Sequence, residues 1–234
     1  MNVKKLPEYI GWVLKLGQAD FERTLGWQKG LVKLRKEGMA RDTLIFVEHP
    51  PVITVGKDGH EENFEGLETK PFFIERGGDV TYHGPGQLVV YFIFNLTRRE
   101  RDLHLFMENV QQGIIDALAE IGIAAQKGDE NTGVWVGEDK IASIGVAVKN
   151  WVTFHGAAIN LNTDLSEFQQ INPCGLNSNI MTSAQKITKK KVDLDKFADI
   201  LMDKYSAVFD TSFYPVKLED IAEDIESQSG SNVI

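Results

Sequence analysis

The sequence is poor in cysteine, in proline and in positive charge. Its 234 residues include one cysteine, Cys174, and seven prolines, and 25 lysines and arginines stand against 34 aspartates and glutamates. A single cysteine excludes an intrachain disulfide, as is usual in a reducing compartment. The formal net charge of -9 excludes a general nucleic-acid binder held by a basic surface, although it leaves room for a local basic patch.

Long apolar runs are also absent. The longest one, Leu88–Phe94, is far too short to span a membrane. The first residues, Met1–Glu8, contain two lysines and a proline but lack the apolar stretch of a secretory signal. We therefore expect a soluble, cytoplasmic protein.

The rest of the composition is that of one globular domain. Hydrophobic residues make up 42% of the chain and charged residues 25%, and a chain of this length can bury a substantial core. From Lys217 onward the sequence is acidic and rich in serine. We therefore expect one compact domain over residues 1–216 and a flexible acidic tail over residues 217–234.

The spacing of apolar residues predicts three long helices and several short strands. The helices cover Asp20–Glu37, Leu103–Ile121 and Val192–Phe209. Strands are predicted at Thr43–Val47, Val52–Val55, Phe72–Glu75, Leu88–Asn95, Val134–Val136, Ile141–Val148 and Val152–Leu161. Helices and strands interleave without a regular βαβ rhythm, which favours an α+β fold with a mixed, mainly antiparallel sheet and flanking helices.

Glycines concentrate in the segment Arg76–Gln87, in which Arg76 and His83 flank them. Glycine permits a positive φ and lets a ligand approach the main chain closely. No Gly-Lys-Ser/Thr follows, so the segment is not a phosphate loop, and its spacing is not that of a dinucleotide fingerprint. It is either a ligand-binding loop or a plain glycine-rich hairpin.

Cys174 lies in a segment that is typical of a turn, Asn172–Leu176. Pro173 restrains the residue before it to extended geometry, and Gly175 frees the chain directly afterwards. The sulfur could therefore be an exposed nucleophile beside main-chain N–H groups that stabilise an oxyanion. A lone cysteine is more often a small buried hydrophobe, so both interpretations stay open at this point.

Two further segments could contribute to a site. Lys140 begins an apolar segment that runs to Gly145. A desolvated ammonium beside a thiol lowers the thiol pKa, whereas a solvated hairpin lysine is the commoner case. In the segment Thr153–Asn160, the small residues Gly156–Ala158 fit either the wall of a ligand tunnel or close packing between strands.

The five histidines show no metal-ligand spacing, so no metal site is expected. His49, His60 and His104 are expected on the surface or in loops, whereas His83 and His155 are candidate bases beside Lys140. Lys186 and lysines 189–191 form a local basic cluster, which most often is a solvated face.

Four segments together resemble the lipoyl(octanoyl) transferase family, the octanoyl-[acyl carrier protein]:protein N-octanoyltransferases. In chain order they are Arg76–Gln87, Lys140–Gly145, Thr153–Asn160 and Asn172–Gly175. The segment Glu48–Gly56 also resembles the family, more weakly. Phe92 stands where the family often has proline, and Ile159 stands where leucine is usual; neither residue is a reactive group.

The resemblance implies an acyltransferase with the catalytic fold of the biotin and lipoate protein ligases, working without a cofactor. It implies Cys174 as the acyl-thioester nucleophile and Lys140 as the residue that lowers its pKa. The substrate-binding residues that it implies are Arg76, Gly77, Gly78, Asp79, Val80, Thr81, Tyr82, His83, Ser143, Ile144, Gly145, Gly156, Ala157 and Ala158.

The implied reaction moves an octanoyl group between two carrier proteins. The donor is octanoyl-acyl carrier protein, and the acceptors are lipoyl domains of 2-oxoacid dehydrogenase complexes and the glycine cleavage H protein; no nucleic acid or membrane takes part. Such carriers are usually acidic, and like charges repel at long range. We therefore expect a local basic face, which could include Lys186 and lysines 189–191, to offset the net charge.

Three alternatives stay open. A lipoate or biotin ligase of the same fold would activate its acid with ATP and would not use Cys174. An amidotransferase would move octanoyl between two lipoyl domains through the same cysteine chemistry. A non-catalytic acyl-binding module would hold octanoyl groups without turnover, and replacing its cysteine would change nothing.

Overall fold

The computed structural model describes residues 9–67, 69–99, 101–128, 132–172 and 178–229. Cys174, the candidate nucleophile, lies outside these ranges. Within them the helices are α1 (Phe21–Glu37), α2 (Leu103–Glu120), α3 (Ala184–Thr188), α4 (Leu194–Val208) and α5 (Ala222–Ser229). The strands are β1 (Tyr9–Gln18), β2 (Asp42–Glu48), β3 (Val52–Val55), β4 (Phe72–Phe73), β5 (Val80–His83), β6 (Gln87–Ile93), β7 (Gln126–Lys127), β8 (Gly133–Val136), β9 (Asp139–Lys149), β10 (Val152–Asn160) and β11 (Thr211–Pro215).

Eight strands form one mixed sheet in the order β11-β1-β2-β6-β10-β9-β8-β7. β1 runs parallel to both of its neighbours, β2 and β11, so two strands that are far apart in the chain, β1 and β11, lie side by side. All the other neighbours in this sheet are antiparallel. The expected α+β fold with a mixed, mainly antiparallel sheet is confirmed.

The central strand β6 is buried on both faces. Val90 and Phe92 pack into one hydrophobic core with α2 and α4, whereas Val89 and Tyr91 pack into a second core with α1 and α5. Because both sets of alternating side chains are covered, the strand reads as a continuous apolar run rather than as an alternating one.

The three long helices begin and end close to the residues predicted for them. The carboxylate of Asp20 caps α1 by accepting a hydrogen bond from the N–H of Arg23, and Gly38 ends this helix in the left-handed conformation, with φ +81°. Asp102 and Asp193 cap α2 and α4 in the same way. The Asp20 cap fixes the first turn of α1, which carries Phe21 toward the site described below.

A second, three-stranded sheet has the order β4-β3-β5. It contains the second half of the glycine-rich segment, because Val80–His83 pairs antiparallel with Val52–Val55. The first half is joined to the large sheet, where Gly77 N donates a hydrogen bond to Val146 O at 3.0 Å. The glycine-rich segment therefore bridges the two sheets.

Several parts of the fold differ from the sequence-based expectations. β5 was expected as a loop, because glycines on both sides hide its alternation. β1 and β11 were not predicted, since β1 contains Gly11 and Gly17 and β11 ends in a proline.

Part of the segment that was expected as a flexible acidic tail over residues 217–234 is described by the structure, namely residues 217–229. Residues 222–229 form α5, and Ile221 and Ile225 are buried against α1. Ile225 lies so close to Gly30 that a side chain at position 30 would overlap it. Glu223 and Asp224 are exposed on α5, whereas Ile225 and the preceding Ile221 face the core.

Among the described helices, none has the length and apolar character that crossing a lipid bilayer requires.

Candidate active site

A single cavity brings together residues from both sheets and from the start of α1. The residues implied by the sequence that line it are Arg76, Gly77, Gly78, Val80, Thr81, His83, Lys140, Ser143, Ile144, Gly145, Gly156, Ala157 and Ala158. These residues are distant in sequence, and the pairing of β9 with β10 and of β3 with β5 places them around one space.

Two of the implied binding residues do not line this cavity. Tyr82 points to the opposite face of β5, where its ring packs edge-on against Phe168 at 5.5 Å. Asp79 instead holds the loop around it together: its carboxylate accepts hydrogen bonds from the N–H of Val80 and His60 and from the side-chain amide of Asn63. It borders a neighbouring groove that shares Lys140 with the cavity.

Arg76 is fixed by hydrogen bonds to β3. Its Nη2 donates to the main-chain oxygen of Thr54 at 2.9 Å and to the hydroxyl of Thr54 at 3.0 Å, and its Nη1 donates to Gly77 O at 3.1 Å. The guanidinium is a permanent positive charge in a buried position. It therefore raises the positive potential of the cavity and disfavours protonation of nearby histidines.

Lys140 is 2% exposed and lies on β9. Its Nζ stands 5.5 Å from the ring centroid of Trp135, the residue opposite it on β8. Gly133 provides the room, because a Cβ there would come within 2.5 Å of the Lys140 Cε. The structure thus holds the amine in the wall of the cavity, where an ammonium is poorly solvated and acts strongly on a neighbouring charge.

The residues on either side of 173–177 are hydrogen-bonded close to Asp79 and Lys140. Asn172 N donates a hydrogen bond to Asn63 O at 2.8 Å, and Asn63 in turn binds the carboxylate of Asp79. On the other side, Met181 forms a β-bridge with Lys140, and Thr182 N donates to Lys140 O at 3.0 Å.

Buried histidines and aromatic rings form one end of the cavity wall. His83 Nδ1 lies 2.8 Å from the Gln87 Oε1, and the ring stacks on Phe21 at 6.2 Å. Burial, together with the positive charge of Arg76, lowers the pKa of His83 to about 3. His83 is therefore neutral at physiological pH.

His155 combines burial with an unusual main chain. Its φ is +59°, in the left-handed region, although it lies within β10. Its Nε2 has no hydrogen-bond partner among the residues that the structure describes, and a carboxylate oxygen of Glu75 is 3.9 Å away. Burial lowers the pKa of His155 to about 4, with Arg76 acting in the same direction. Backbone strain of this kind is concentrated at functional sites.

Sequence reasoning missed several residues of this site. Phe21, Ile74, Val89 and Tyr91 complete the cavity wall, together with His155, which was already a candidate base. The alternation of side chains along β6 was the signal for Val89 and Tyr91. His49 lies in the loop between β2 and β3, as the expectation allowed, but it is not on the surface: it is fully buried, between Ala19 O at 2.7 Å and the Tyr91 hydroxyl at 2.8 Å. His60 and His104 are exposed, as expected.

Residues 20–206 match the model of the lipoyl protein ligase A/B catalytic domain. The chain is 42% identical over 219 residues to an octanoyltransferase from Thermoanaerobacter sp. (strain X514), with 91% of this chain and 96% of the relative covered. It is 43% identical over 208 residues to an octanoyltransferase from Solibacter usitatus (strain Ellin6076), with 86% and 94% covered.

The fold is similar to that in a crystal structure of lipoate-protein ligase A bound with ATP. The TM-score is 0.79 with 94% of this chain and 92% of the other covered, at 18% identity. At this identity the likeness establishes the fold, while the relatives above establish the family. The chain belongs to the lipoyl protein ligase A/B catalytic-domain family, and within it to the octanoyltransferases, which are acyltransferase enzymes.

Proposed function

We propose that this enzyme transfers an octanoyl group from octanoyl-acyl carrier protein to a lysine amine on lipoyl-accepting domains, through an octanoyl thioester on Cys174. The acceptors would be the lipoyl domains of 2-oxoacid dehydrogenase complexes and the glycine cleavage H protein. The observation that carries this proposal is the burial of Lys140 in the wall of a cavity that small and apolar residues of β9 and β10 line together with the polar side chains of Arg76, His83 and His155. Such a cavity suits an acyl chain, and the amine supplies the charge that its thioester chemistry needs.

In the first half-reaction, the thiolate of Cys174 attacks the thioester carbon of the donor. The new C–S bond forms, the old one breaks, and the carrier's thiol leaves. An unperturbed thiol has a pKa of about 8.5, so only a few per cent is thiolate at pH 7. A nearby Lys140 ammonium would favour the thiolate and so raise the reactive fraction.

In the second half-reaction, the acceptor amine attacks the octanoyl thioester. The C–N bond forms, the C–S bond breaks, and the proton lost from nitrogen returns to the sulfur, directly or by way of a neutral Lys140. A thioester is converted to an amide, which is downhill, so ATP is not required.

The selection of chain length would depend on the cavity wall. Each buried methylene contributes about 0.8 kcal/mol, so a chain one methylene too short loses only some tenfold or less. Longer chains must be rejected by a closed end. Gly156 and Ala158 would set the bore, since both line the cavity with little or no side chain.

The basic cluster would provide the docking face for acidic carriers. Lys186 lies on α3, and lysines 189–191 follow directly, all of them exposed. α3 comes two residues after Thr182, which is bound to Lys140 O, so the cluster is close in the chain to the cavity. Replacing lysines 189–191 together by glutamate should raise the KM for carrier proteins but not for a small octanoyl thioester; equal KM values for the carriers would remove this docking face from the proposal.

Intact-mass measurement tests the central claim. Incubation with octanoyl-acyl carrier protein should add one octanoyl group, an acceptor domain should remove it, and Cys174→Ala should not acquire it. A requirement for ATP with free octanoate would favour a ligase. Loading from an octanoylated lipoyl domain but not from acyl carrier protein would favour an amidotransferase, and binding without any adduct would favour an acyl-binding module.

A further inference from the structure

A chain of hydrogen bonds runs from His83 through two buried amide side chains. The Gln87 Oε1 lies 2.8 Å from the His83 Nδ1. The Gln87 Nε2 lies 2.9 Å from the Asn160 Oδ1 and 3.2 Å from Tyr82 O, and the Asn160 Nδ2 lies 3.1 Å from Thr182 O. All three side chains of this chain are buried.

The direction of every bond is set by the two main-chain carbonyls. A carbonyl oxygen accepts only, so Tyr82 O and Thr182 O each require an N–H from the amide that faces them. Turning Gln87 or Asn160 around would place an amide oxygen against a carbonyl oxygen. The Gln87 oxygen must therefore face the imidazole, and His83 must donate from Nδ1.

A neutral imidazole carries one N–H, so the Nε2 of His83 is left with a free lone pair. Within the described residues the ring's one hydrogen bond is the one to Gln87. His83 lines the cavity and Gln87 does not, so the edge of the ring opposite Gln87 is the edge that faces the cavity.

We propose that Gln87 and Asn160 are positioning residues that hold His83 in its Nδ1-protonated form, so that its Nε2 accepts a hydrogen bond from the attacking amine of the acceptor. This proposal rests on the proposed function, because it assigns a role within the second half-reaction. His83 takes no proton in this role: the bond orients the nitrogen lone pair toward the thioester carbon, while the lost proton returns to sulfur.

The surroundings of His83 suit an imidazole that stays neutral and accepts a hydrogen bond. Arg76, His49 and His155 are the charged or titratable groups that act on it, and a positive charge on any of them disfavours its protonation. The octanoyl donor offers no N–H at its reacting carbonyl, so the lone pair of the His83 Nε2 has no role in forming the acyl-enzyme. The lysine amine of the acceptor domain does carry an N–H, which this lone pair can accept.

The test uses the whole chain with ¹⁵N-labelled histidine. In the wild type, the nitrogen signals of His83, assigned by comparison with His83→Gln, should show a protonated Nδ1 and an unprotonated Nε2 at pH 7. Asn160→Ala removes the shorter of the two hydrogen bonds of the Gln87 Nε2 and leaves the one to Tyr82 O, so a fraction of the Nε2-protonated form should appear. A wild-type His83 protonated at Nε2 would overturn the proposal without reference to any activity.

The kinetic test follows each half-reaction alone, with pre-formed octanoyl-enzyme for the second. Gln87→Glu keeps an oxygen at Nδ1 but places a carboxylate beside the ring, which raises the pKa of His83 and favours its charged form. Amine transfer by this variant should fall more steeply than in the wild type as the pH is lowered below 7, and it should recover at higher pH as His83 loses its extra proton. A merely structural defect would show no such recovery.

Two further results distinguish a failure of the positioning role from a failure of the proposed function. The exposed Gln169→Glu should behave like the wild type in both half-reactions. If octanoyl-enzyme never forms in the wild type, the proposed function fails, and the role toward an amine falls with it. If octanoyl-enzyme forms and Asn160→Ala transfers octanoyl to the amine as fast as the wild type over the whole pH range, only the positioning role is wrong. The same comparison tests the positioning role if Gln87→Glu does not fold.

Discussion

Gly145 and Gly156 are directly opposite each other on the antiparallel strands β9 and β10, and both line the cavity. Their missing side chains open space on the sheet where the glycine-rich segment crosses it. A Cβ at position 145 would come within 2.9 Å of Gly77 O and 3.0 Å of the Arg76 Cδ. A Cβ at position 156 would overlap Val90 O. The cavity is thus bordered by two positions at which an added methyl group would meet main-chain oxygens.

Gly145→Ala should lower octanoyl transfer more than it lowers stability. The added methyl pushes on the loop at Gly77, which can shift, so we expect at least a tenfold drop in kcat/KM with a loss of about 1 kcal/mol in the free energy of unfolding. Gly26→Ala on α1 is the control, because nothing lies within 4 Å of a Cβ there. Unchanged transfer by Gly145→Ala would show that the loop position is not critical.

Lys140→Ala should slow acylation in a way that depends on pH. Without the ammonium, the thiol of Cys174 titrates near its ordinary pKa of about 8.5, so adduct formation at pH 7 should fall by roughly 10- to 30-fold and recover toward pH 9. Stopped reactions analysed by intact mass give the rate at each pH. Lys149→Ala, at the exposed end of the same strand, is the control. If Lys140→Ala slowed acylation by the same factor at every pH, Lys140 would have a positional or proton-transferring role instead.

Ala158→Val should shorten the preferred acyl chain. Ala158 lines the cavity and packs with Val89 and Phe154, so two added methyl groups take space from the ligand. We expect octanoyl to lose about tenfold in kcat/KM relative to hexanoyl, measured with small thioesters. Ala147→Val, in the same core but away from the cavity, should leave this ratio unchanged; if both variants leave it unchanged, the far end of the chain lies elsewhere.

His155→Asn should weaken the dependence of stability on pH. The pKa of His155 is lowered to about 4 in the fold, whereas an unfolded histidine titrates near 6.5, so the unfolded state binds more protons between these values. Stability is thus full above pH 6.5 and falls as the pH drops toward 4. His155 accounts for about 2 kcal/mol of the loss between pH 7 and pH 5.

Asparagine is chosen because it tolerates the positive φ of position 155. Urea unfolding at pH 7, 6 and 5 gives the free energy of unfolding at each pH, and this free energy should fall less between pH 7 and pH 5 for the variant than for the wild type. His104→Asn, on the exposed side of α2, should keep the wild-type slope. Parallel slopes for all three proteins would mean that His155 is accessible to protons in the fold.

Ile225→Ala should destabilise the protein by about 2–4 kcal/mol, because it empties a fully buried contact between α5 and Gly30. Ile187→Ala removes an equal side chain from an exposed position and should cost far less. The urea midpoints of the two variants give the comparison. A small effect at position 225 would mean that α5 contributes little to the fold.

Much of the fold could be predicted because local signals and tertiary packing agree. The helix over Phe21–Glu37 follows from Asp20 and Gly38 at its ends, and β6 follows from its apolar run. β1 could not be predicted, since its two glycines break the pattern and its stability comes from parallel partners far away in the chain.

The candidate site shows a similar division. The glycine-rich segment and Lys140 could be singled out from residue type, but the face of each strand could not, so Asp79 and Tyr82 were grouped with residues that line the cavity. His49 was missed because its burial depends on Tyr91 and Ala19, which only the folded chain brings to it. Contacts between distant segments carry no local signature.

The pairing of Tyr9–Val13 with Thr211–Pro215 has a consequence for biosynthesis. β1 leaves the ribosome long before β11, so the large sheet is completed only once residues 211–215 have also emerged. Until then the outer edge of β1 is an open template for other strands, and chaperone binding at that edge should be strongest late in translation.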